Sequence, residues 1–416
     1  MHGALSTLLA LSVILVASKL GGDLAQRLRQ PVVLGELVAG VLLGNVAHAG
    51  VPALAAIGAD PVVETLAQLG AVMLLFEVGL ESTVAQMRQV GRVAALVAVV
   101  GVVVPMALGW AVGAWLLPGA GLPAHLFLGA ALSATSVGIT ARVLKDLGEG
   151  QAPEARIILG AAVLDDVLGL VVLAAVSGIV AAADRGVAVE AGPIAVIILK
   201  AVAFLGGALW IGSRVMPRVY RLAARLRGDG ILLGVSVAFA FGMAWAAGVA
   251  GLAPIVGAFA AGLVLEGAMF EPFAARGEPQ ELEELVRPIG QVLAPVFFVV
   301  MGFHVELAVL ADPAVLGLAG ALTLAAVLGK QACMLAVGPG LRRLAVGIGM
   351  VPRGEVGLIF AQMGLALHVG TRPVFDRATF SAVVVMVIAT TLVTPPALAW
   401  ALRRPVPGGG PQRAVT

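Results

Sequence analysis

Long apolar runs constrain this chain more than any other feature. A helix needs about 20 apolar residues to cross the ~30 Å hydrocarbon core of a bilayer. Thirteen stretches come near that length, at roughly 4–22, 31–47, 62–80, 92–115, 124–144, 155–181, 193–213, 230–248, 251–268, 285–303, 313–336, 344–367 and 378–402. Only 12% of the 416 residues are charged, about half the share usual in soluble domains, so a folded chain of this size could not cover itself for water. The runs lack polar–apolar alternation, which excludes an outer-membrane barrel. With 54 glycines, helix backbones can approach closely in lipid. The expected class is an all-α polytopic membrane protein of about 13 transmembrane helices. One cysteine, Cys333, excludes a disulfide framework and any multi-cysteine metal site. No cofactor and no nucleic-acid partner is expected, and the tail 403–416 reads as short, disordered and cytoplasmic.

Direction follows from lysine and arginine. The loops and flanks after spans 1, 3, 5, 7, 9 and 11, with the tail, hold 20 of the 26 basic residues. Arg27, Arg29, Arg142, Lys145 and the run Arg214, Arg218, Arg221, Arg225, Arg227 are among them. The opposite loops hold three, Arg185, Arg372 and Arg377. The reading is a multi-pass membrane protein, N-terminus outside and C-terminus cytoplasmic.

Two parts of the chain resemble each other. Gly35-Glu-Leu-Val-Ala-Gly40 in span 2 matches Gly257-Ala-Phe-Ala-Ala-Gly262 in span 9. Gln68, Ala71 and Gly79 of span 3 match Gln291, Ala294 and Gly302 of span 10, and Ser136-Val-Gly-Ile of span 5 matches Glu355-Val-Gly-Leu of span 12. The shift is seven spans, an odd number, so the halves enter the membrane from opposite sides. Inverted-topology repeats belong to secondary transporters, whose sites lie at the midplane beside broken helices.

Ionisable groups at that depth are costly and mark function. Asp165 and Asp166 lie about 16 Å into span 6 at 1.5 Å per residue. Span 5 carries Ser133, Thr135, Ser136, Gly138 and Thr140, a set of hydroxyls with a glycine that favours local unwinding. Span 12 is interrupted by Pro352-Arg353-Gly354-Glu355; proline removes a backbone donor, and Arg353 and Glu355 are placed to cap freed peptide groups. The expectation is therefore two broken helices. Lys330 in span 11 stays charged if it stands beside Asp165 or Asp166. A buried carboxylate of this kind holds a proton or a small cation, not both. Carboxylate, hydroxyl and carbonyl oxygens suit a hard ion such as Na⁺ or Li⁺. Alternating exposure of such a site is monovalent cation/proton antiport, the work of a transporter and not of an enzyme. Glu77 and Glu36 read as interfacial acids, with Glu77 also a possible entrance to the ion path, while His304 and Glu306 read as solvated at the outer end of span 10.

Five stretches carry a family resemblance over nearly the whole chain: Gln30-Pro-Val-Val-Leu-Gly-Glu36, Ala134-Thr-Ser-Val-Gly-Ile-Thr-Ala-Arg142, Ile157-Ile-Leu-Gly-Ala-Ala-Val-Leu-Asp-Asp166, Leu252-Ala-Pro-Ile-Val-Gly257 and Pro352-Arg-Gly-Glu-Val-Gly357. The chain resembles bacterial sodium/proton antiporters of the second monovalent cation:proton antiporter branch, NapA-like. That resemblance implies a homodimer working by an elevator-like movement. Its dimer domain would be 1–90 and 230–308, its core ion-transport domain 91–185 and 309–402, and its linker 186–229. It implies that Asp166 is the principal carrier of cation and proton, that Asp165 pairs with Lys330, and that Thr135 lies at the helix crossing. Two acids with the lysine are the pattern of electrogenic members. Glu77 departs from the family pattern at its position. The partners implied are Na⁺ or Li⁺, with K⁺ an alternative, together with H⁺ and membrane lipid. A potassium-efflux subunit of the same branch and a transporter-fold sensor without turnover are the competing readings.

Overall fold

The structure is a computed structural model. It describes residues 2–28, 30–48, 50, 54, 60–81, 91–136, 140–141, 143–144, 149–150, 152–185, 191–226, 228, 230–265 and 282–404. It is almost wholly helical. Eight of the described helices are long and apolar enough to cross a membrane, and four more apolar helices are shorter.

The chain divides into two compact units. The first comprises Met1–Gln86 and Val171–Val305. It holds α1 (His2–Arg27), α2 (Val32–His48), α3 (Pro61–Glu81), the second half of α6 (Pro153–Asp184), α7 (Ala191–Ala223), α8 (Ile231–Val249), α9 (Pro254–Val264) and α10 (Leu282–Phe303). Here α2 packs on α1 and α10, while α9 packs on α3 and α8. Glycine decides these crossings. A Cβ on Gly40 would stand 2.1 Å from the Val299 carbonyl oxygen, and one on Gly302 would stand 2.1 Å from that of Leu37. At the α3–α9 crossing, a Cβ on Gly262 would meet the Phe76 oxygen at 2.4 Å, and one on Gly79 the Phe259 oxygen at 2.4 Å. No side chain fits at such spacing, and the backbones gain dispersion and Cα–H···O contacts instead.

The second unit comprises Met87–Leu170 and Glu306–Thr416. It holds α4 (Arg92–Leu116), α5 (Gly121–Ser133), the first half of α6, α11 (Pro313–Gln331), α12 (Arg343–Gly349), α13 (Glu355–Ala366) and α14 (Arg377–Leu402). A 3-10 turn, Ala332–Ala336, extends α11. A two-residue hairpin, β1 (His368–Val369) with β2 (Arg372–Pro373), joins α13 to α14.

Among the described residues, two of the thirteen apolar runs are not continuous helices. The run 124–144 stops being helical after Ser133, and Ala134 is extended (φ −63°, ψ 142°). Ser133 Oγ turns back to the Ala130 carbonyl at 2.7 Å, one of the local bonds by which hydroxyl residues compete with the helical ladder. The run 344–367 is two helices, α12 and α13, separated by residues 350–354. Pro352 lacks the N–H a helix needs and pushes Val351 out of the helical region.

Candidate ion-binding site

The site belongs to the second unit and begins with α6. Asp165 is 1% exposed and Asp166 half-buried. Lys330, fully buried in the last turn of α11, donates from Nζ to Asp165 Oδ1 at 3.1 Å. The second oxygen, Oδ2, is buried without a hydrogen-bond partner. One face of α4 shapes the lysine's surroundings. A Cβ on Gly101 would stand 3.2 Å from Nζ and 3.2 Å from Cys333 Sγ. One turn on, Pro105 lies against Gly329.

The two interruptions meet. Ser136 N–H donates to the Pro352 carbonyl at 2.8 Å. Thr135 Oγ1 donates to Met350 O at 3.4 Å and Thr140 Oγ1 to Gly349 O at 2.7 Å. A Cβ on Gly354 would stand 2.5 Å from Ser136 Oγ, so glycine is what allows this approach. Arg353, with no solvent exposure, bonds the carbonyls of Met350 (3.2 Å), Val351 (3.0 Å) and Ala326 (3.4 Å). Its own carbonyl accepts from Thr391 Oγ1 at 2.5 Å. A broken helix exposes carbonyls that must find donors. Here hydroxyls, one N–H and a guanidinium supply them. The guanidinium is also within electrostatic reach of Asp165 and Lys330.

Asp165, Lys330, Thr135, Ser136, Pro352, Arg353 and Gly354 thus come together from four separate spans, with Asp166 beside Asp165. Glu355 begins α13, but its side chain and all of Gly138 lie outside the described residues. Glu77 belongs to the first unit, in α3, where its carboxylate stands against Gly290 of α10. Glu36, near the start of α2, is 4% exposed, with Lys19 within electrostatic reach. Its burial comes from the packing of α2 between α1 and α10, which a position near the start of a span does not reveal. Glu306 pairs with Arg377. Gly101 and Thr391 were not singled out by sequence reasoning. For Thr391 the run Thr390-Thr391 with Thr394 was a usable signal; for Gly101, one glycine among 54, there was none.

A bundle of apolar helices, with two breaks joined backbone to backbone beside a buried acid–lysine pair, defines a polytopic membrane transporter. The fold is like that of the sodium proton antiporter MjNhaP1 from Methanocaldococcus jannaschii, with a TM-score of 0.69 over 96% of this chain and 99% of that one, at 15% identity. Residues 10–404 match the family described as sodium/hydrogen exchanger, transmembrane, and the chain belongs to that family. It is 40% identical to the high-affinity Na⁺/H⁺ antiporter NhaS3 of Synechocystis, covering 94% of this chain and 88% of that relative. It is 32% identical to the Na⁺/H⁺-K⁺ antiporter GerN of Bacillus cereus, covering 93% and 94%.

Proposed function

We propose that this protein exchanges Na⁺ or Li⁺ for H⁺ as a secondary antiporter, with proton and cation competing for Asp165 and Asp166. The carrying observation is the buried Asp165 carboxylate, tied to Lys330 through Oδ1 while Oδ2 has no hydrogen-bond partner. One oxygen in an ion pair and one oxygen bare leave the group ready for a proton or a hard cation. Asp166 is the principal carrier; Thr135 and Ser136 lend oxygens, and Arg353 with Pro352 and Gly354 holds the breaks open. When a proton or cation occupies the acids, Lys330 loses part of its partner, which couples occupancy to the lysine's charge and makes the exchange electrogenic. The names of the similar proteins agree with Na⁺/H⁺ exchange, and GerN's name makes K⁺ the second cation to test.

Residues 1–90 with 230–308 act as a dimer domain and residues 91–185 with 309–402 as a moving core in an elevator cycle, with 186–229 linking them and two copies of the chain meeting through the dimer domains. The N-terminus is outside and the C-terminus cytoplasmic, by the 20-to-3 distribution of basic residues. The inverted repeat has support beyond sequence. Gly40 against α10 and Gly302 against α2 correspond, under the repeat, to Gly262 against α3 and Gly79 against α9. Likewise Gly35 would clash with the Gly21 oxygen at 2.0 Å and Gly257 with that of Met243 at 2.0 Å.

The test is proton movement in vesicles containing purified protein, with Na⁺, Li⁺ and K⁺ added separately. Cation-dependent proton flux is expected, and Asp166→Asn is expected to abolish it in a protein that still folds. No flux with any cation overturns antiport and favours a sensor; undiminished flux in Asp166→Asn removes that residue as carrier.

A further inference from the structure

Away from the acid pair, the second unit has an opening of about 490 Å³ where the 3-10 turn, the start of α12 and the end of α14 come together. Arg342, Arg343 and Arg404 line it, with Met334, Leu344 and Ala401 as its apolar wall. We propose that this opening binds the phosphate of an anionic phospholipid headgroup.

The charge balance points that way. Three arginines line the opening, and among the described residues only Glu149 stands within ion-pair range of any of them, at 3.6 Å from Arg342 Nη1. Glu154 is committed elsewhere: its Oε1 accepts the Arg342 backbone N–H at 2.8 Å, which fixes that residue's main chain. Arg342 Nε is buried without a hydrogen-bond partner. Arg343 Nε takes only the Gly338 carbonyl, at 3.2 Å. Planar guanidinium forks match phosphate oxygens pairwise. Bringing three of them together without an anion is repulsive.

The surroundings select a lipid over a free ion. Leu335, next to Met334, is 87% exposed, and Trp400 is 51% exposed one turn before Arg404. Arg404 stacks on the Trp400 ring at 3.7 Å. An exposed tryptophan beside basic residues at a helix end is an interfacial anchor, and basic pockets between membrane helices suit anionic headgroups. A headgroup seated here places its acyl chains along Leu335 and clamps three chain segments at once. One segment continues the helix of Lys330, and another is the first half of the broken pair.

The experiment is thermal melting of the full protein in phosphatidylcholine nanodiscs with increasing phosphatidylglycerol. Wild type is expected to melt at higher temperature as phosphatidylglycerol rises. Arg343→Gln/Arg404→Gln should need roughly thirty-fold more of it, about fivefold for each arginine. Arg404→Gln alone should show about a fivefold loss, which keeps the test open if the double variant folds poorly. The control Arg221→Gln/Arg225→Gln, on exposed basic residues of the other unit, should respond like wild type. The proposal is overturned if wild type does not respond, if the pocket variants respond like wild type, or if the control loses as much. Equal protection by millimolar inorganic phosphate in pure phosphatidylcholine overturns the lipid assignment.

Discussion

The two units use the same apolar residues but hold together by different means. In the first, nine glycines stand so close to a carbonyl oxygen of a neighbouring helix that an added Cβ would lie within 2.5 Å of it: Gly21, Gly35, Gly40, Gly44, Gly70, Gly79, Gly257, Gly262 and Gly302. In the second, among the described residues, only Gly129 does so. Buried polar groups run the other way. Among the described residues the second unit has fourteen of the eighteen, including Asp165, Lys330, Arg353 and the threonines of α14; the first has Ser18, Glu36, Ser177 and Ser236. Lipid gives helices no hydrophobic reason to associate. One unit answers with close backbone contact, which is indifferent to charge and fails on added volume. The other answers with hydrogen bonds and an ion pair, which tolerate open space and fail on lost partners. A transport site needs the second kind, because ions require oxygens that are not already locked into helical bonds.

The largest effect expected from this contrast is on the glycine crossings. Gly262→Val and its repeat counterpart Gly40→Val should each cost more than about 3 kcal/mol, beyond ordinary overpacking, because the obstacle is backbone. Folded yield and melting temperature measure this, and near-wild-type melting in either would break the comparison. Next comes Lys330→Ala, which leaves Asp165 buried and unpaired and should cost about 3–5 kcal/mol. Lys330→Met with Asp165→Leu should recover most of that stability while cation-dependent proton flux stays absent. Failure to recover would mean that the pair is retained for folding as well as for transport.

Thr140→Val and Thr391→Val each remove a donor from a buried carbonyl and should cost about 1–3 kcal/mol. The same change at Thr65, exposed in the first unit, should be within about 0.5 kcal/mol of neutral. Gly101→Ala sharpens the contrast further. With 3.2 Å to Lys330 Nζ rather than to backbone, a long side chain can give way, and the cost should be about 1 kcal/mol. Its larger signature should be a changed pH dependence of flux, since the ammonium is displaced from Asp165. The smallest effect concerns Asp60, just before α3. A hydrogen bond from Thr7, with the N–H groups of Val62 and Val63, holds its carboxyl below the ordinary value of 3.8. A lowered folded-state value means this contribution is full above pH 3.8 and is lost as pH falls through the folded value. Thr7→Val should therefore lower melting temperature slightly at neutral pH, and the difference should vanish in acid.

Much of this was legible in the sequence. Length and hydropathy fixed the helices, because a backbone in lipid must satisfy itself within each segment. Pro352 beside Gly354 and the Ser133–Thr140 hydroxyls marked both interruptions. The offset pairs Gly40/Gly262 and Gly79/Gly302 were legible too, and all four glycines stand at close helix crossings. The burial of Glu36 was not legible, since burial depends on which neighbour covers a face. Gly101 gave no signal at all, because its importance lies in the lysine opposite.

By itself the sequence determined that this chain is a membrane-embedded helical protein with a few ionisable groups too costly to be idle. Covalent order and hydropathy are enough for that. Only the tertiary structure decided that Lys330 takes one oxygen of Asp165 and leaves the other, that Ser136 and Pro352 join the two breaks, and that three arginines converge on one opening. Those facts depend on contacts between residues as much as 216 positions apart, from Ser136 to Pro352, and no local property of a sequence sets such distances.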